Sequence, residues 1–387
     1  MVKKEEGKQA IVVILYVDDI LILAGEATDR YWVKDILEQK YQKVTVSEGD
    51  RLPYLGMTII KRNEGFEVCM ESYIQDILKY YNKNVREYVT PTKPNLFKVS
   101  MEVEPLIEKA KFHSVVAKLL YLGKHGRPDI LLPVQFLCTR VKAPTTDDER
   151  KLERVLGYLK LTKGWTKVFD KSPCERVRTY IDASFAIHLD GKSQSGCVTL
   201  LGNTLVHETC RKQKIITRNS METELVALSD HIIEGELIEG FVLDMGALCD
   251  IEVLDNVHLV YQDNQPTIAI VTKGGGQPRT KYMKVREEYV RERLETKELE
   301  IEYVKTDTML ADALTKPLSG EGFHKLVRRL LGRSKFQTSY ASNRGAKKKM
   351  GQTDDQDLSD LGRQLVAMHC SHQVDSQKRQ KATRHGK

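Results

Sequence analysis

Two adjacent aspartates, Asp18 and Asp19, stand between apolar runs in the segment IVVILYVDDILILAG, which covers residues 11–25. Neighbouring carboxylates repel each other and are costly to bury unless a cation or water meets them. Aspartate is also common in turns, so the four residues YVDD alone fit an ordinary turn equally well. The apolar flanks favour two buried strands with the aspartates at the hairpin tip. A Mg²⁺ ion bound there would relieve the repulsion and could align a triphosphate with a hydroxyl.

The segment that follows the hairpin is expected to fold into short strands and then helices. Apolar residues at the i, i+3, i+4 spacing predict helices over 112–123 and 150–164. Thr146 and Glu149 fit a capping box, which predicts the start of the second helix. This middle section is therefore predicted to be a helical subdomain.

The period of the apolar residues changes to two from Val177 onwards. Three consecutive segments with this period predict an antiparallel meander. A long helix is predicted over 220–245, and strands and helices then alternate to the end of this half. The predicted order is βββαβαβα with one additional helix, which indicates a mixed-sheet α/β (α+β) domain.

Composition narrows the class of protein. Of the 387 residues, 41% are hydrophobic and 30% charged, which indicates globular domains. The longest apolar run, residues 11–17, is shorter than the roughly 18 residues of a membrane helix, and the start lacks the apolar stretch of a secretory signal. Seven cysteines without CxxC pairs favour reduced thiols and an intracellular location, with cytoplasm and nucleus both open.

Positive charge is concentrated at the C-terminal end. The segment 333–387 holds 12 Lys and Arg against 5 Asp, which equals the net charge of +7 for the whole chain. The remainder is neutral overall, so affinity for nucleic acid would have to come from local patches. The polar composition of the segment predicts a basic, disordered tail.

Four motifs cover Tyr16 to Gly164: LYVDDILI, YLGM, LLYLGKHGRPDI and RVLGYLKLTKG. They resemble the reverse transcriptase of copia-type retrotransposon polyproteins. The resemblance implies a palm remnant over 1–64, in which Asp18 and Asp19 are metal ligands, and a thumb and connection region over 65–175. It also implies a third aspartate and a fingers region upstream, and 15 residues precede Tyr16. We therefore expect that the chain alone does not polymerise DNA.

Further motifs cover residues 179–318 in a fixed order: YIDASFA, SGCVTL, RKQ, SMETELVALS, DNQPTIAI and LADALTKPL. They resemble the ribonuclease H domain of copia-type polyproteins, which implies an RNase H-like domain over 176–332. The implied activity is hydrolysis of the RNA strand of RNA:DNA hybrids. Two Mg²⁺ ions about 4 Å apart can activate the water and stabilise the leaving oxygen, and Mn²⁺ would be a substitute.

The resemblance assigns the ligands of these two ions. Asp182 would bridge both, Glu224 and Asp263 would hold one, and Asp312 would complete the other. Each assignment has an alternative. Asp182 could be a surface residue, and Asp263 could cap the helix that follows it. The sole role of Asp312 could be to complement a helix dipole.

Glu222 is the rival of Glu224. At 100° per residue the two glutamates flank the apolar face of the helix about equally, on opposite sides, so periodicity leaves the choice open. The resemblance favours Glu224, because the family glutamate precedes an L.A pattern that Leu225 and Ala227 match.

The sequence also departs from the family pattern. The block KYMKVREEY has Tyr282 where the family has histidine and Lys284 where it has aspartate. The segment KTDTMLAD lacks the histidine that cellular RNases H often carry before the last aspartate. The first departure puts contacts near the active centre in doubt. Because of the second, a water molecule would have to carry out the proton transfer at the leaving group.

Basic residues near the implied site are candidates for binding the hybrid. Arg211, Lys212 and Lys214 would contact phosphates, and the helix around 281–295 adds positive charge. Paired charges on a solvated helix face are the alternative for that helix.

The alternative for the whole chain is a non-catalytic remnant of a decayed transposon that binds nucleic acid or nothing. A complete reverse transcriptase subunit is a conceivable partner.

Overall fold

The computed structural model describes residues 2–3, 10–41, 43–63, 65–99, 104–171, 176–249, 257–274, 280–333 and 364–370. They form two compact units, residues 1–60 with 342–387 and residues 61–341. The strands are β1 (Val2–Lys3), β2 (Ile11–Tyr16), β3 (Asp19–Ala24), β4 (Val44–Ser47), β5 (Arg51–Tyr54), β6 (Met57–Arg62), β7 (Gly65–Cys69), β8 (Thr166–Asp170), β9 (Val177–Ser184), β10 (Gln194–Leu201), β11 (Thr204–Lys212), β12 (His258–Gln262), β13 (Leu299–Tyr303) and β14 (Gln364–Cys370). The helices are α1 (Ala27–Tyr41), α2 (Glu71–Tyr81), α3 (Lys109–His125), α4 (Leu131–Cys138), α5 (Thr146–Leu161), α6 (Ser220–Cys249), α7 (Gln265–Lys273), α8 (Lys281–Glu295), α9 (Asp312–Thr315) and α10 (Gly320–Leu330).

The first unit is built on a sheet with the strand order β1-β2-β3-β14-β4. Strand β3 is covered on both faces, which explains its continuous apolar sequence. Ile20 and Ile22 pack in one cluster with Val33 of α1, whereas Leu21 packs with Leu52 and Tyr54. Within the predicted tail 333–387, the structure describes Arg333 and β14. The expected disorder of the rest concerns residues outside the described ranges.

The hairpin tip differs from the expectation that both of its strands are buried. Ile20, Leu21 and Ile22 of β3 are buried, but Leu15 and Val17 are 66% and 81% exposed. Among the described residues, β1 pairs with Ile11 and Val12 of β2, and Ile14, Leu15 and Tyr16 at the other end of β2 are exposed. The prediction is confirmed for β3 and wrong for the tip of β2.

Helices α2 to α5 form the helical part of the second unit, together with the antiparallel pair of β7 and β8. The capping box at the start of α5 lies one residue earlier than predicted. The Thr145 side chain accepts a hydrogen bond from the Asp148 amide, and Asp148 accepts one from the Thr145 amide. Asp148 also accepts a hydrogen bond from the Arg140 side chain at 3.2 Å, which favours Asp148 over Glu149 as the partner of the cap.

Every helix within the described ranges is too short or too polar to span a lipid bilayer.

The remainder of the second unit contains a mixed sheet with the strand order β11-β10-β9-β12-β13. Strands β9, β10 and β11 form the predicted antiparallel meander, and β12 runs parallel to both β9 and β13. Helix α6 packs on this sheet through Leu225, Leu228 and Ile232. The predicted element order and the mixed α/β fold are confirmed. The predicted division of this unit at 175/176 stays a prediction.

Candidate active site

Asp182 lies in the middle of the mixed sheet, on β9. Its neighbours Ile181 and Ala183 point into the core under α6, so Asp182 points to the opposite face of the strand. It is 1% exposed, which shows that the surface alternative is wrong. Its carboxylate accepts hydrogen bonds from the Thr315 hydroxyl and, at 3.1 Å, from the Lys316 ammonium. Burial raises the pKa of Asp182, against the lowering effect of Lys316 and Thr315.

Glu224 lies in the first turns of α6 and is 4% exposed. Its carboxylate accepts hydrogen bonds from the Gln262 amide at 3.4 Å and from the Ala183 backbone amide. Glu222 lies elsewhere, because its carboxylate accepts a hydrogen bond from the backbone amide of Arg218 at 2.9 Å. Burial raises the pKa of Glu224 well above its usual range, and repulsion from nearby carboxylates adds to this.

Asp263 follows β12 directly and is half-buried. Its carboxylate accepts a hydrogen bond from the Thr306 hydroxyl at 2.8 Å. It is not the cap of α7, because Asn264 occupies that position and accepts from the Thr267 amide at 3.0 Å. Carboxylate oxygens of Asp182, Glu224 and Asp263 lie within 4.8 Å of one another. The structure therefore brings three of the four proposed RNase H ligands together.

Asp312 is the first residue of α9 and is 4% exposed. Asp312 is not part of the group formed by Asp182, Glu224 and Asp263, but Lys316 connects Asp312 to that group. The Lys316 Nζ atom lies 2.7 Å from Asp312 Oδ1 and 3.1 Å from Asp182 Oδ1. Burial, followed by repulsion from Asp182, raises the pKa of Asp312 to about 7.

The donor set fits a hard divalent cation. Such ions take oxygen ligands, and two oxygens that share a Mg²⁺ ion lie roughly 3–4 Å apart. The carboxylates of Asp182, Glu224 and Asp263 are close enough to approach this spacing. Burial, with repulsion between neighbouring carboxylates, raises the pKa of Asp182 and of Glu224, which shows the cost of holding anions together. A cation would remove that cost.

No family model matches the chain. It is 26% identical over 329 residues to a Pol polyprotein from transposon RE1 of Arabidopsis thaliana, which covers 84% of this chain and 22% of that protein. It is 25% identical to the Pol polyprotein from transposon TNT 1-94 of Nicotiana tabacum, which covers 85% of this chain and 25% of that protein. Its homologues are copia-type Pol polyproteins. The chain spans a quarter or less of the length of these two relatives.

Parts of the chain are similar to solved structures. RNase H1 from Halobacterium salinarum matches with a TM-score of 0.26 and 20% identity, over 36% of this chain and 94% of that chain. A foamy viral protease-reverse transcriptase in complex with RNA/DNA hybrid matches with a TM-score of 0.42 and 12% identity, over 76% of this chain and 36% of that chain.

The aspartates that the copia resemblance assigns to the polymerase lie in the first unit. Asp19 pairs with Tyr16 at the end of the hairpin, and Val17 and Asp18 form the turn. Both aspartates are half-buried. Among the described residues, the groups of three or more close metal-ligating side chains include neither of them. Their assignment as polymerase metal ligands stays a prediction.

The basic residues predicted to contact phosphates differ in their surroundings. Arg211 forms an ion pair with Glu234, and Lys212 lies 2.7 Å from Asp190. Lys214 is exposed. Phosphate binding by Arg211, Lys212 and Lys214 stays a prediction.

Sequence reasoning missed the neutral and cationic groups that hold the carboxylates. Thr315 and Lys316 contact Asp182, Thr306 contacts Asp263, and Gln262 contacts Glu224. The spacing of four residues between Asp312, the first residue of α9, and Lys316, which directly follows α9, was a readable signal. The contacts to β9 were not readable, because they join residues 133 and 134 positions apart.

Gly196 permits the close approach of α9 to this site. It pairs with Asp182 across the sheet, and an added Cβ would lie 3.0 Å from the Ala311 carbonyl oxygen and 2.7 Å from the Thr315 Cγ2 atom. We expect Gly196→Ala to displace α9, to destabilise the protein by about 1–3 kcal/mol and to lower hybrid cleavage at least about tenfold. Urea unfolding and a cleavage assay measure the two effects.

Gly240→Ala is the matched control for this variant. Gly240 lies in α6, where an added Cβ would meet nothing within 4 Å. Alanine is preferred over glycine in helices by about 0.5–1 kcal/mol, so stability should rise slightly and cleavage should not change. Equal cleavage by the Gly196→Ala variant and the wild type would contradict the positioning role of this contact.

Proposed function

We propose that this chain is the reverse transcriptase and RNase H part of a copia-type polyprotein and that it hydrolyses the RNA strand of RNA:DNA hybrids. The observation that carries the proposal is the convergence of Asp182, Glu224 and Asp263, whose oxygens lie within 4.8 Å of one another on three separate elements. Buried carboxylates that repel each other are costly, and a metal-binding role explains why they are together.

Each residue has a defined part in this reaction. Asp182 would help to hold two Mg²⁺ ions, Glu224 and Asp263 would hold one of them, and Asp312 would hold the other. When bound, such ions activate a water and stabilise the leaving oxygen. The Thr315 and Thr306 hydroxyls orient the carboxylates that they contact, Asp182 and Asp263. The segment KTDTMLAD offers no histidine, so water would protonate the leaving oxygen.

The proposal assigns a role to each segment of the chain. Residues 176–332 would bind and cleave the hybrid, 65–175 would correspond to the thumb and connection, and 1–64 would belong to the palm. We expect no primer extension, since Asp18 and Asp19 lie in no described group of three metal-ligating side chains. Magnesium-dependent extension of a primer by the purified chain would contradict this part.

Cleavage of a labelled hybrid tests the activity. The purified chain is incubated with an RNA:DNA hybrid, single-stranded RNA or duplex DNA, with Mg²⁺ or with EDTA. We expect cleavage of the RNA strand of the hybrid only, and only with Mg²⁺. Asp263→Asn, purified in parallel, controls for contaminating host nucleases. Equal cleavage by both proteins, or by neither, would leave the alternative of a non-catalytic remnant.

A further inference from the structure

Lys316 occupies a defined place between two of the proposed ligands. Its Nζ atom lies 2.7 Å from Asp312 Oδ1 and 3.1 Å from Asp182 Oδ1. The other oxygen of Asp182 accepts a hydrogen bond from the Thr315 hydroxyl. Lys316 directly follows α9, four residues after Asp312, and its side chain is 33% exposed. The ammonium is therefore held by two buried carboxylates and remains connected to solvent.

An ammonium at this position excludes a metal ion from the same oxygens. A Mg²⁺ ion lies about 2.0–2.1 Å from its ligand oxygens. An ion bound to Asp182 Oδ1 and Asp312 Oδ1 on the side where Nζ lies would overlap with the Nζ atom, which is 3.1 and 2.7 Å from these oxygens. A lysine ammonium is a compact positive charge, so it compensates the two carboxylates in place of the ion.

Among the described contacts, Glu224 and Asp263 have no ammonium group that would compete with a metal ion. Glu224 accepts hydrogen bonds from the Gln262 amide and the Ala183 backbone amide. Asp263 accepts one from the Thr306 hydroxyl. These partners are neutral, so a cation that reaches Glu224 and Asp263 displaces no charged group. The two sides of the site therefore differ in what an incoming ion must displace.

We propose that Lys316 holds the place of the second cation between Asp182 and Asp312, so that the ion at Glu224 and Asp263 binds first and the second binds only after the ammonium leaves. The inference rests on the proposed function, because it uses the same four carboxylates. Departure of the ammonium is feasible, since a partly exposed lysine can rotate its charge into water. Lys316 is thus a positioning residue that regulates metal loading and protects the metal-free site.

Metal titration of the full chain tests the proposal. Isothermal calorimetry with Mg²⁺, and with Mn²⁺ as a second probe, is carried out on the wild type and on Lys316→Met. We expect the variant to bind its second ion at least about tenfold more tightly than the wild type, because no ammonium must be displaced. In EDTA the variant should melt about 5 °C lower than the wild type, since Asp182 and Asp312 lose their counter-charge.

Two controls separate this role from a general effect of charge. Lys325→Met removes an ammonium that is 50% exposed and lies 3.9 Å from Asp307, outside the site, and should leave ion binding unchanged. Asp312→Asn removes a ligand of the second ion only. In that background Lys316→Met should no longer strengthen the second binding event, whereas a long-range effect of charge would persist.

The outcomes distinguish the inference from the proposed function. Equal ion affinity and number for the wild type and Lys316→Met, with hybrid cleavage by the wild type, would overturn the inference alone. The same would follow from a gain in affinity that survives in the Asp312→Asn background. Absence of ion binding and of cleavage in all proteins would overturn the proposed function and this inference with it.

Discussion

Replacement of Asp182 by asparagine is expected to reduce magnesium-dependent hybrid cleavage by about a thousandfold or more, while the protein stays folded. Metal ions supply several kcal/mol of transition-state stabilisation, and about 1.4 kcal/mol corresponds to a factor of ten in rate. Asp182 is proposed to help to hold both ions, so its charge affects each of them. Asparagine has nearly the same shape and still offers an oxygen to the Thr315 hydroxyl.

The stability of this variant should move in the opposite direction from its activity. Burial raises the pKa of Asp182, so its ionised form is less favourable in the folded protein than in the unfolded chain. This cost is absent below the unfolded pKa, grows as the pH rises from the unfolded to the folded pKa, and is complete above the folded pKa. A neutral asparagine avoids it, and we expect the free energy of unfolding in EDTA at pH 7 to be unchanged or higher.

Asp307→Asn is the matched control for Asp182→Asn. Asp307 lies in the segment before α9, and its side chain is 69% exposed. The same chemical change there should leave both cleavage and stability within experimental error, because exposed ion pairs contribute little. An Asp182→Asn protein that keeps more than a tenth of the wild-type rate would contradict this role of Asp182.

The sequence was sufficient to predict the strands of the mixed sheet and three carboxylates that converge on one site. Strand β9 has a regular period of two, and its motif residue Asp182 lies on the predicted strand. Periodicity left the choice between Glu222 and Glu224 open, the resemblance favoured Glu224, and the structure brings Glu224 close to Asp182 and Asp263. The two lie symmetrically on a helical wheel, and only the folded chain shows that Glu222 accepts from the Arg218 amide.

Contacts between distant segments explain the rest of what sequence reasoning missed. The exposure of Leu15 depends on its tertiary neighbours, which no local pattern specifies. The cap at Thr145 rather than Thr146 reflects the contact of Arg140 with Asp148. Local periodicity predicts elements, whereas register and charge pairing depend on tertiary neighbours.

Loss of the Asp129 carboxylate is expected to have the largest effect on stability. Arg127 and Asp129 belong to the GRPD segment, and both side chains are at most 1% exposed. The guanidinium donates to both Asp129 oxygens, at 2.9 and 2.7 Å, and to the Thr162 carbonyl at 3.0 Å. The Tyr158 hydroxyl donates to Asp129 at 2.6 Å. Asp129→Ala would therefore leave a buried guanidinium without its counter-charge.

We expect Asp129→Ala to lower the free energy of unfolding of the second unit by about 3–5 kcal/mol, the usual cost of an uncompensated buried charge. Trp165, whose ring lies 5.5 Å from the guanidinium carbon of Arg127, reports on this region. The chain has two tryptophans, Trp32 and Trp165, so urea unfolding followed by fluorescence in a Trp32→Phe background isolates the relevant signal.

A surface pair and a double variant show whether the unpaired charge is the cause. Glu71→Ala breaks a pair with Lys163 whose side chains are 38% and 48% exposed, and should cost less than about 1 kcal/mol. The double variant Arg127→Met with Asp129→Leu removes both charges and should be more stable than Asp129→Ala alone, because no buried charge remains unpaired. If the double variant were the less stable of the two, lost packing and hydrogen bonds, rather than the uncompensated guanidinium, would explain the effect of Asp129→Ala.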